Sequence, residues 1–364
     1  MRAHSSGSLE RVVVFTDPTN RPDYVRRYVE LFHDQWNIRS VLVYPSNVRR
    51  VLIAECNGYI GKAGIAARLQ ADMSNLPGLA RNLCQRFEVV AVVPQAEYQV
   101  LPVARLCELL DLPWVALDTI SRFRNKYDLK QFIRSQGGGP RLNMSQCVGS
   151  AAEAFDFLKR NRLSRFVLKP NDGAGNSRIA FFEVRSDPGD VRAYFDVNQG
   201  TEVLLEEFID GPEYCVNGQV DEAGVVRTLS VQRTVYIAGN GRTNLGGGYR
   251  MMHSDTTEFA LAQAYAAQIL KASGLRKSPF HMEIKIDAQG PCMIEVGARL
   301  GGAGIPRDTC LAHEGSVDLF REAARCYLVD PPGAPVEPNW SLYDSHCVWT
   351  VLGVAPRTEQ ILNL

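Results

Sequence analysis

Short apolar runs alternate with longer amphipathic segments over the first third of the chain. Three runs rich in β-branched residues are typical of buried strands, and three other segments have helical spacing or composition. The predicted strands are Arg11–Phe15, Ser40–Tyr44 and Glu88–Val93, and the predicted helices span 22–36, 75–87 and 100–110. Strands that alternate with helices predict a parallel, Rossmann-like sheet. The first strand leads into Thr16-Asp17-Pro18 without a GxGxxG sequence, so we predict no dinucleotide site there.

The pattern changes after residue 150, where strands dominate. Ser150 and Glu153 form a capping box that predicts the start of a helix. Later apolar runs are separated by Gly, Pro and Asp turn signals, which is typical of an antiparallel sheet. These runs are 165–169, 181–184, 203–209, 214–220, 225–236, 280–287 and 292–296. One long helix, 256–273, is predicted to begin after Asp255 and to end at Gly274.

These changes divide the chain into three parts. We expect an N-terminal Rossmann-like domain over 1–120, a central subdomain over 121–200, and a C-terminal subdomain with the antiparallel sheet over 201–364. The length of 364 residues suits two or three domains at roughly 150 residues each. The expected fold class is therefore α/β followed by α+β.

Composition excludes several classes of protein. Forty basic residues balance forty acidic residues, so the chain lacks the cationic excess typical of nucleic-acid binders. No segment approaches the roughly 18 apolar residues of a membrane span, and no signal peptide is evident. We therefore expect a cytoplasmic protein with neither a nucleic-acid partner nor a membrane partner. The nine cysteines are scattered without a CxxC motif, which argues against a disulfide framework and a zinc site.

A lysine and a glycine-containing loop follow one another in the middle of the chain. Lys169 ends an apolar strand, where an inward-facing cation needs an anionic partner. The loop 171–177 contains Gly173 and Gly175, whose backbone can approach phosphate oxygens closely. A plain turn and a lysine that extends to solvent would give the same sequence. The lysine and the loop together favour a phosphate site.

The next acidic segment suits a nucleoside. An apolar strand becomes acidic at Glu206 and Glu207, ends at a Gly-Pro turn and is followed by Glu213. Backbone groups of such a strand would meet a base edge, and Glu213 would meet ribose hydroxyls. An edge strand with solvated glutamates accounts for the same pattern equally well.

Two glutamates face each other across a predicted hairpin. If 288–290 form a three-residue connection, Glu283 and Glu295 lie directly opposite, with Cβ atoms about 5 Å apart. Facing like charges destabilise a sheet, and a divalent cation between them reverses that effect. A two- or four-residue connection would put the two side chains on opposite faces and leave the pair without a function.

Four glycines flank Arg299 in the segment 296–304, directly after this hairpin. Glycines allow close backbone approach, and an arginine can hold a carboxylate or a phosphate in bidentate fashion. A flexible glycine loop is the alternative. The short distance along the chain between Arg299 and the glutamate pair favours an anion site.

The order of these motifs resembles the ATP-grasp superfamily, and in particular its carboxylate–amine ligases such as the L-amino acid (dipeptide) ligases. The resemblance extends over about residues 10–355 and includes a lysine after the first domain, within 124–128. It implies an ATP-grasp fold in which two α+β subdomains follow the Rossmann-like domain and enclose ATP.

The resemblance also implies which residues bind ATP. Lys126 and Lys169 match the phosphate-binding lysines, and the covering loop is matched by Gly173, Gly175, Asn176 and Ser177. The adenine-contacting strand is matched by Glu206, Glu207 and Ile209, and the ribose glutamate by Glu213. Adenine would be contacted largely through backbone groups.

The remaining matches imply a metal site and a reaction centre. Glu283 and Glu295 resemble the ligands of Mg²⁺, or of Mn²⁺ in its place, and Arg299 resembles the arginine that steadies the acyl phosphate and the tetrahedral intermediate. The pair Gly301 and Gly302 resembles a site for the substrate carboxylate. One position departs from the pattern, because Gly297 stands where an asparagine usually provides a further magnesium ligand.

The hypothesis that follows is an ATP-dependent ligase that joins a carboxylate to an amine through an acyl phosphate and releases ADP. Tyr249 and His253 are predicted to lie near the acceptor pocket, although a lone histidine is more often structural. The alternatives are a carboxylating or phosphorylating enzyme of the same fold, and a non-catalytic ATP-binding module. Dimers are common in the superfamily, so a homodimer is a further expectation.

Overall fold

The first sheet of the computed structural model, which describes residues 8–175, 178–237, 245–345 and 349–351, is parallel. Its strands are β1 (Glu10–Thr16), β2 (Arg39–Pro45), β3 (Ile65–Ala71) and β4 (Phe87–Val92), in the order β3-β2-β1-β4. The accompanying helices are α1 (Pro22–Trp36), α2 (Arg50–Ile60), α3 (Leu76–Arg86) and α4 (Val100–Leu109). The predicted parallel sheet is confirmed, and it contains one strand and one helix, β3 and α2, that the sequence pattern did not predict.

The second sheet is antiparallel and lies in the middle of the chain. Its strands are β5 (Ser145–Val148), β6 (Arg165–Pro170), β7 (Ala180–Glu183) and β8 (Val203–Glu207), in the order β5-β8-β6-β7. Helices α5 (Leu117–Arg124) and α6 (Lys126–Ser135) precede this sheet in the chain. Helix α7 (Ala151–Asn161) lies between β5 and β6, and α8 (Pro188–Val197) lies between β7 and β8. Phe166 and Leu168 alternate along β6 and are buried with Leu205 against Phe157 of α7.

The third sheet has six strands in the order β13-β12-β9-β10-β11-β14. The strands are β9 (Glu213–Val220), β10 (Val226–Ile237), β11 (Leu245–Met251), β12 (Ser278–Asp287), β13 (Gly290–Gly297) and β14 (Trp349–Val351). The helices of this region are α9 (Thr257–Ser273), α10 (Ile305–Ala312), α11 (Leu319–Tyr327) and α12 (Trp340–Asp344). None of the helices in the described ranges is long and apolar enough to cross a bilayer.

Helix ends follow local capping signals. The Ser150 hydroxyl accepts a hydrogen bond from the Glu153 amide (3.3 Å) at the start of α7, as the sequence predicts. Helix α9 is capped by Thr256, whose hydroxyl accepts a bond from the Phe259 amide (3.3 Å), one residue after the predicted entry. It ends at Gly274, which has a left-handed φ of 74° that glycine adopts without strain.

The sheets and hydrophobic cores extend across the predicted boundaries between the three parts of the chain. Strand β8 pairs with β5 and β6, so the second sheet extends beyond the predicted division at residue 200 and ends before β9. Helices α5 and α6 contribute Phe123 and Ile133 to a core shared with the third sheet and α9. The region 121–200 is therefore divided between two cores.

The first domain is docked against helix α11. The rings of Tyr24 and Tyr28 on α1 meet Phe320 of α11 edge-on, with centroids 4.9 and 5.0 Å apart. The Tyr24 hydroxyl also donates to the Gly301 carbonyl (2.6 Å). This packing places the carboxyl ends of β1 and β4, where parallel sheets bind their ligands, beside the segment 299–302.

Candidate active site

The hairpin of β12 and β13 places two carboxylates side by side through a bulge. Asp287 pairs with Gly290, so the connection has two residues and not the three that the sequence argument required. The register then shifts between Glu283 and Ile284, which leaves Ile294 as an extra residue on β13 and brings Glu283 opposite Glu295. The predicted pairing is therefore confirmed, but the loop length from which it was derived is wrong.

Each carboxylate of this pair has a cationic or ionisable neighbour. The Glu295 carboxylate lies 3.4 Å from the ammonium nitrogen of Lys126, and the Glu283 carboxylate lies 3.5 Å from Nε2 of His281. Burial alone would raise the pKa of Glu283, but the hydrogen bond and charge of His281, with the charge of Lys169, outweigh it and lower that pKa. Glu283 is thus held in its charged form beside Glu295.

Lys169 belongs to a buried charge cluster with Lys130 and Glu206. Its ammonium lies 2.6 Å from the Glu206 carboxylate and donates to the carbonyl of the bulged Ile294 (3.3 Å). Lys130 binds the same carboxylate and donates to Asn143 Oδ1 (2.7 Å). Burial alone would raise the pKa of Glu206, but the charges of Lys130 and Lys169 lower it to about 2. The same carboxylate, together with Glu295, raises the pKa of Lys169 against the effect of burial.

Lys126 connects the glycine-containing loop to the hairpin. Its ammonium, which is buried, donates to the Gly173 carbonyl (2.6 Å) in addition to facing Glu295. Arg124 donates to the Asp172 carbonyl of the same loop (2.5 Å). Gly175 has a left-handed φ of 66° and open space around it. The predicted loop residues Asn176 and Ser177 lie outside the described residues.

The predicted adenine segment begins where β8 ends. Glu206 pairs on both sides, with Ser145 of β5 and Val167 of β6, and its side chain is committed to the two lysines. Glu207 donates its backbone amide to Met144 (2.8 Å). A base edge would therefore meet the segment after the strand, which contains Ile209.

Lys285 of β12 contacts this segment. Its ammonium donates to the Ile209 carbonyl (3.4 Å) and lies 4.8 Å from the Phe208 ring centroid. Lys285 also pairs in register with Glu213, and the Thr234 hydroxyl donates to the Glu213 carboxylate (3.4 Å). Burial lowers the pKa of Lys285, opposed by the charge of Glu213. The predicted ribose glutamate therefore lies beside the predicted adenine segment.

Arg299 lies two residues after the end of β13 and has one guanidinium nitrogen available. Its Nε faces the Glu97 carboxylate at 2.5 Å, and Nη1 donates to the Leu300 carbonyl (2.7 Å). Nη2 donates no hydrogen bond within the part of the chain that the structure describes. A cation that is anchored on two sides and has one terminal nitrogen left over is suited to hold an anion.

Comparison with known proteins identifies the domain that contains most of these residues. The family model of the ATP-grasp domain matches residues 165–307. The chain carries an ATP-grasp domain. The matched span includes both glutamates of the hairpin, Lys169 and Arg299.

Relatives agree with this assignment. Dapdiamide A synthase of Enterobacter agglomerans is 27% identical over 200 residues, which cover 52% of this chain and 46% of that protein. The chain spans about half the length of the curated relatives it matches. The crystal structure of an L-amino acid ligase from Bacillus licheniformis has a TM-score of 0.68 at 18% identity and covers 91% of this chain and 76% of its own. The predicted resemblance to the ATP-grasp superfamily and its amino acid ligases is confirmed.

A more distant solved structure shares the ATP-grasp fold. The biotin carboxylase domain dimer of 2-oxoglutarate carboxylase from Hydrogenobacter thermophilus, in complex with magnesium ADP, has a TM-score of 0.63 at 16% identity. The match covers 89% of this chain and 71% of that one. The fold class predicted from the sequence is therefore confirmed.

The ATP-grasp hairpin has the donor set of a magnesium site. The Glu283 and Glu295 side chains are 25% and 27% exposed, so both carboxylates are open to the cleft. Carboxylate oxygens suit Mg²⁺, which is commonly held by one or two carboxylates together with substrate phosphates. Gly297 adds no ligand, so the protein offers two hard oxygen side chains here, which fit the ion.

The sequence argument missed three residues of the ATP-grasp cleft, namely Lys130, Cys215 and His281. Lys130 lies one helical turn after Lys126, and that spacing was a signal for it. Cys215 lies opposite Glu283 on β9, and its sulfur, a His281 nitrogen and a Glu283 oxygen lie within 4.8 Å of one another. The spacing of the cysteines in the sequence gave no sign of this contact.

The two residues predicted for the acceptor pocket differ in position. Tyr249 pairs in register with Thr234 on β10, and the Tyr249 side chain is partly buried. The Thr234 hydroxyl also donates to the Glu213 carboxylate. Burial raises the pKa of Tyr249, with contributions from the charges of Cys215 and Glu283. His253 is exposed two residues after the end of β11, and its carbonyl accepts a bond from the Thr256 hydroxyl (2.7 Å).

Gly301 is packed tightly against the residues that support Glu283, whereas Gly302 is not. A Cβ atom on Gly301 would lie 2.8 Å from Asn217 Oδ1 and 2.9 Å from His281 Nδ1. Those two atoms are buried and 2.8 Å apart. A Cβ atom on Gly302 would meet only Arg21, at 3.7 Å. The glycine pair therefore offers a matched test of the support behind the glutamate pair.

We expect Gly301→Ala to weaken Mn²⁺ binding about tenfold, because a methyl group there moves His281 away from Glu283 and removes an outer contact of that candidate ligand. Electron paramagnetic resonance of free Mn²⁺ during titration measures the affinity. Gly302→Ala is expected to bind Mn²⁺ as the wild-type protein does. Equal affinities for all three proteins would contradict the role assigned to His281.

Proposed function

We propose that the chain is an ATP-dependent carboxylate–amine ligase that forms ADP. The observation that carries the proposal is the bulged hairpin, in which Glu283 faces Glu295. The ammonium group of Lys126 reaches Glu295, and that of Lys169 reaches the Ile294 carbonyl. Arg299 follows shortly after the end of the same strand. The likeness to dapdiamide A synthase and to an L-amino acid ligase supports an amide-forming reaction.

The proposed reaction has two steps. A carboxylate oxygen of the acid attacks the γ-phosphorus of ATP, the bond to the β,γ-bridging oxygen breaks, and ADP leaves. The amine then attacks the acyl carbon, the phosphate leaves with its bridging oxygen, and the nitrogen loses a proton. Neither step needs a covalent bond to the protein, since positioning and charge neutralisation supply the catalysis.

The chain's own side chains provide that positioning. Lys126 and Lys169 bind phosphate oxygens from the floor of the cleft, and the loop with Gly173 and Gly175 covers them. Mg²⁺ held by Glu283 and Glu295 supplies charge neutralisation at the phosphates. Arg299 directs its unused Nη2 donor to the acyl phosphate and to the oxyanion that forms on amine attack.

The nucleoside and the substrates are assigned to the neighbouring segments. Ile209 contacts adenine through the backbone of the segment after β8, Glu206 and Glu207 form the end of β8 that leads into this segment, and Glu213 binds ribose. Gly301 and Gly302 bind the carboxylate of an amino acid substrate, with Tyr249 and His253 on the acceptor side. We include a homodimer in the proposal, since the carboxylase domain of the same fold is a dimer.

A carboxylating enzyme is the second candidate. It is favoured by the likeness in fold to the biotin carboxylase domain, whose structure contains magnesium ADP and bicarbonate. Such an enzyme would form ADP only when bicarbonate is present, whereas the ligase would form ADP with an acid and an amine.

The test is a screen of products with the purified chain, ATP, Mg²⁺ and pairs of L-amino acids, with and without bicarbonate. Mass spectrometry resolves ADP, AMP and any new amide. ADP with a condensed product supports the ligase, and its loss in Glu283→Gln ties the product to the hairpin. AMP in place of ADP, or ADP that depends on bicarbonate alone, overturns the proposal. ATP binding without turnover on a broad panel would favour a binding module.

A further inference from the structure

Glu97 of the first domain is buried between two arginines that come from other parts of the fold. It lies in the short turn Glu97–Gln99 after β4, and its side chain is 6% exposed. One carboxylate oxygen accepts a hydrogen bond from Arg124 (3.0 Å), and the other lies 2.5 Å from Nε of Arg299. A carboxylate this deeply buried persists only when its charge is paired.

Arg124 extends this arrangement to the nucleotide loop. Its second guanidinium nitrogen donates to the Asp172 carbonyl (2.5 Å). The carboxylate of Glu97 therefore connects the loop 171–175, through Arg124, to Arg299 just after β13.

The same carboxylate accounts for the glycine at position 297. A Cβ atom on Gly297 would lie 2.8 Å from the Glu97 oxygen that faces Arg299, a separation that real Cβ atoms do not show. Any side chain at 297 would therefore displace Glu97, Arg299 or both. An asparagine at this position, as expected from the resemblance, would require the Glu97 carboxylate to move.

We propose that Glu97 is a positioning residue for the reaction, which holds the Arg299 guanidinium so that its unused nitrogen faces the transferred phosphoryl group. This inference rests on the proposed role of Arg299. Glu97 supplies no proton transfer in this account. Burial alone would raise its pKa, but the charges of Arg299 and Arg124 lower it, so the carboxylate is a poor base near neutral pH.

The first test is a mutant cycle of Glu97→Gln, Arg299→Ala and the double variant. Glu97→Gln keeps the shape of the side chain and removes its charge. We expect it to lower kcat about 10- to 100-fold, the range for loss of a group that orients a catalytic ligand, with the KM for ATP within about threefold of wild type. The double variant is expected to be no slower than Arg299→Ala alone, because Glu97 acts through Arg299 and both changes remove the same contribution.

Controls separate this role from a general loss of structure. Glu337→Gln removes an exposed carboxylate that accepts a bond from Arg227 (3.0 Å), and it is expected to leave kcat unchanged. Gly297→Ala, which adds a methyl group against Glu97, is expected to lower kcat as Glu97→Gln does while the thermal midpoint shows that the protein folds. Losses that multiply in the double variant, wild-type kcat in Glu97→Gln, or disappearance of the acidic limb of the pH profile in Glu97→Gln would each overturn the proposal.

A second measurement does not depend on turnover. Phenylglyoxal modifies accessible arginines, and peptide mass spectrometry gives the rate at each one. In Glu97→Gln we expect modification of Arg299 to accelerate severalfold while Arg227 reacts at its wild-type rate. An unchanged Arg299 rate overturns the inference about Glu97. Acceleration in a protein without ligase turnover would support the pairing and reject the proposed function, so the two failures are distinguishable.

Discussion

Replacing Arg299 by alanine is expected to lower the rate of ADP formation by about 10²- to 10³-fold, as removal of one oxyanion donor does in other enzymes. The reason is that its Nη2 donor acts on charge that develops during the reaction. The affinity for ATP is expected to stay close to the wild-type value, because Lys126, Lys169 and the glutamate pair remain. Steady-state kinetics and calorimetric titration with a non-hydrolysable ATP analogue measure the two quantities.

Arg299→Lys is the matched control for this substitution. It keeps a positive charge but has no planar fork to reach Glu97 and a ligand together, so we expect it to recover only a small part of the activity. An ATP affinity that falls as far as kcat in Arg299→Ala would place Arg299 in nucleotide binding and reject its role at the reacting centre.

Glu206→Gln is expected to reduce the free energy of unfolding by about 3–5 kcal/mol, because it leaves two buried ammonium groups without their counter-charge. Lys130 is 1% exposed and Lys169 is 4% exposed in their side chains, so water cannot replace the lost carboxylate. Denaturant unfolding at neutral pH measures the change. Glu207→Gln is the control, since Glu207 accepts a bond from the Met144 amide (3.0 Å) and we expect a loss of about 1 kcal/mol or less. Equal losses in the two variants would contradict the buried cluster.

The same cluster predicts a dependence of stability on pH. The pKa of Glu206 in the folded chain is about 2, below its ordinary value of 4.5. Its stabilising contribution is therefore fully present above about pH 4.5 and is lost as the pH falls through that range towards 2. We expect the wild-type protein to lose more stability than Glu206→Gln between pH 5 and pH 3. Parallel curves for the two proteins would show that Glu206 titrates normally.

The glutamate pair illustrates what sequence spacing can and cannot predict. The residue types and their order placed two carboxylates on one hairpin, and that expectation is confirmed. The register came from a bulge at Ile294, which has no signature in the sequence because β-bulges depend on contacts outside the strand. Here the bulged carbonyl accepts a bond from Lys169, which lies 125 positions earlier in the chain.

Glu97 was missed because its contacts are long-range. Glu97 is an ordinary glutamate in a short turn, and its importance arises only because the fold brings Arg124 and Arg299 to it. Strand β3 was missed for a local reason, since the sequence Ile65–Ala71 contains three alanines and few β-branched residues. The strongly patterned elements, such as α1 and β2, were predicted to within one residue.

Isotope transfer from the acid substrate tests the central claim most directly. The acid identified in the product screen is labelled with ¹⁸O in its carboxylate and incubated with ATP, Mg²⁺ and the amine, and the nucleotide and phosphate are analysed by mass spectrometry. Attack of the carboxylate on the γ-phosphorus predicts one ¹⁸O atom in each inorganic phosphate and none in ADP. Label in AMP, or amide formed with unlabelled phosphate, would contradict an acyl-phosphate ligase.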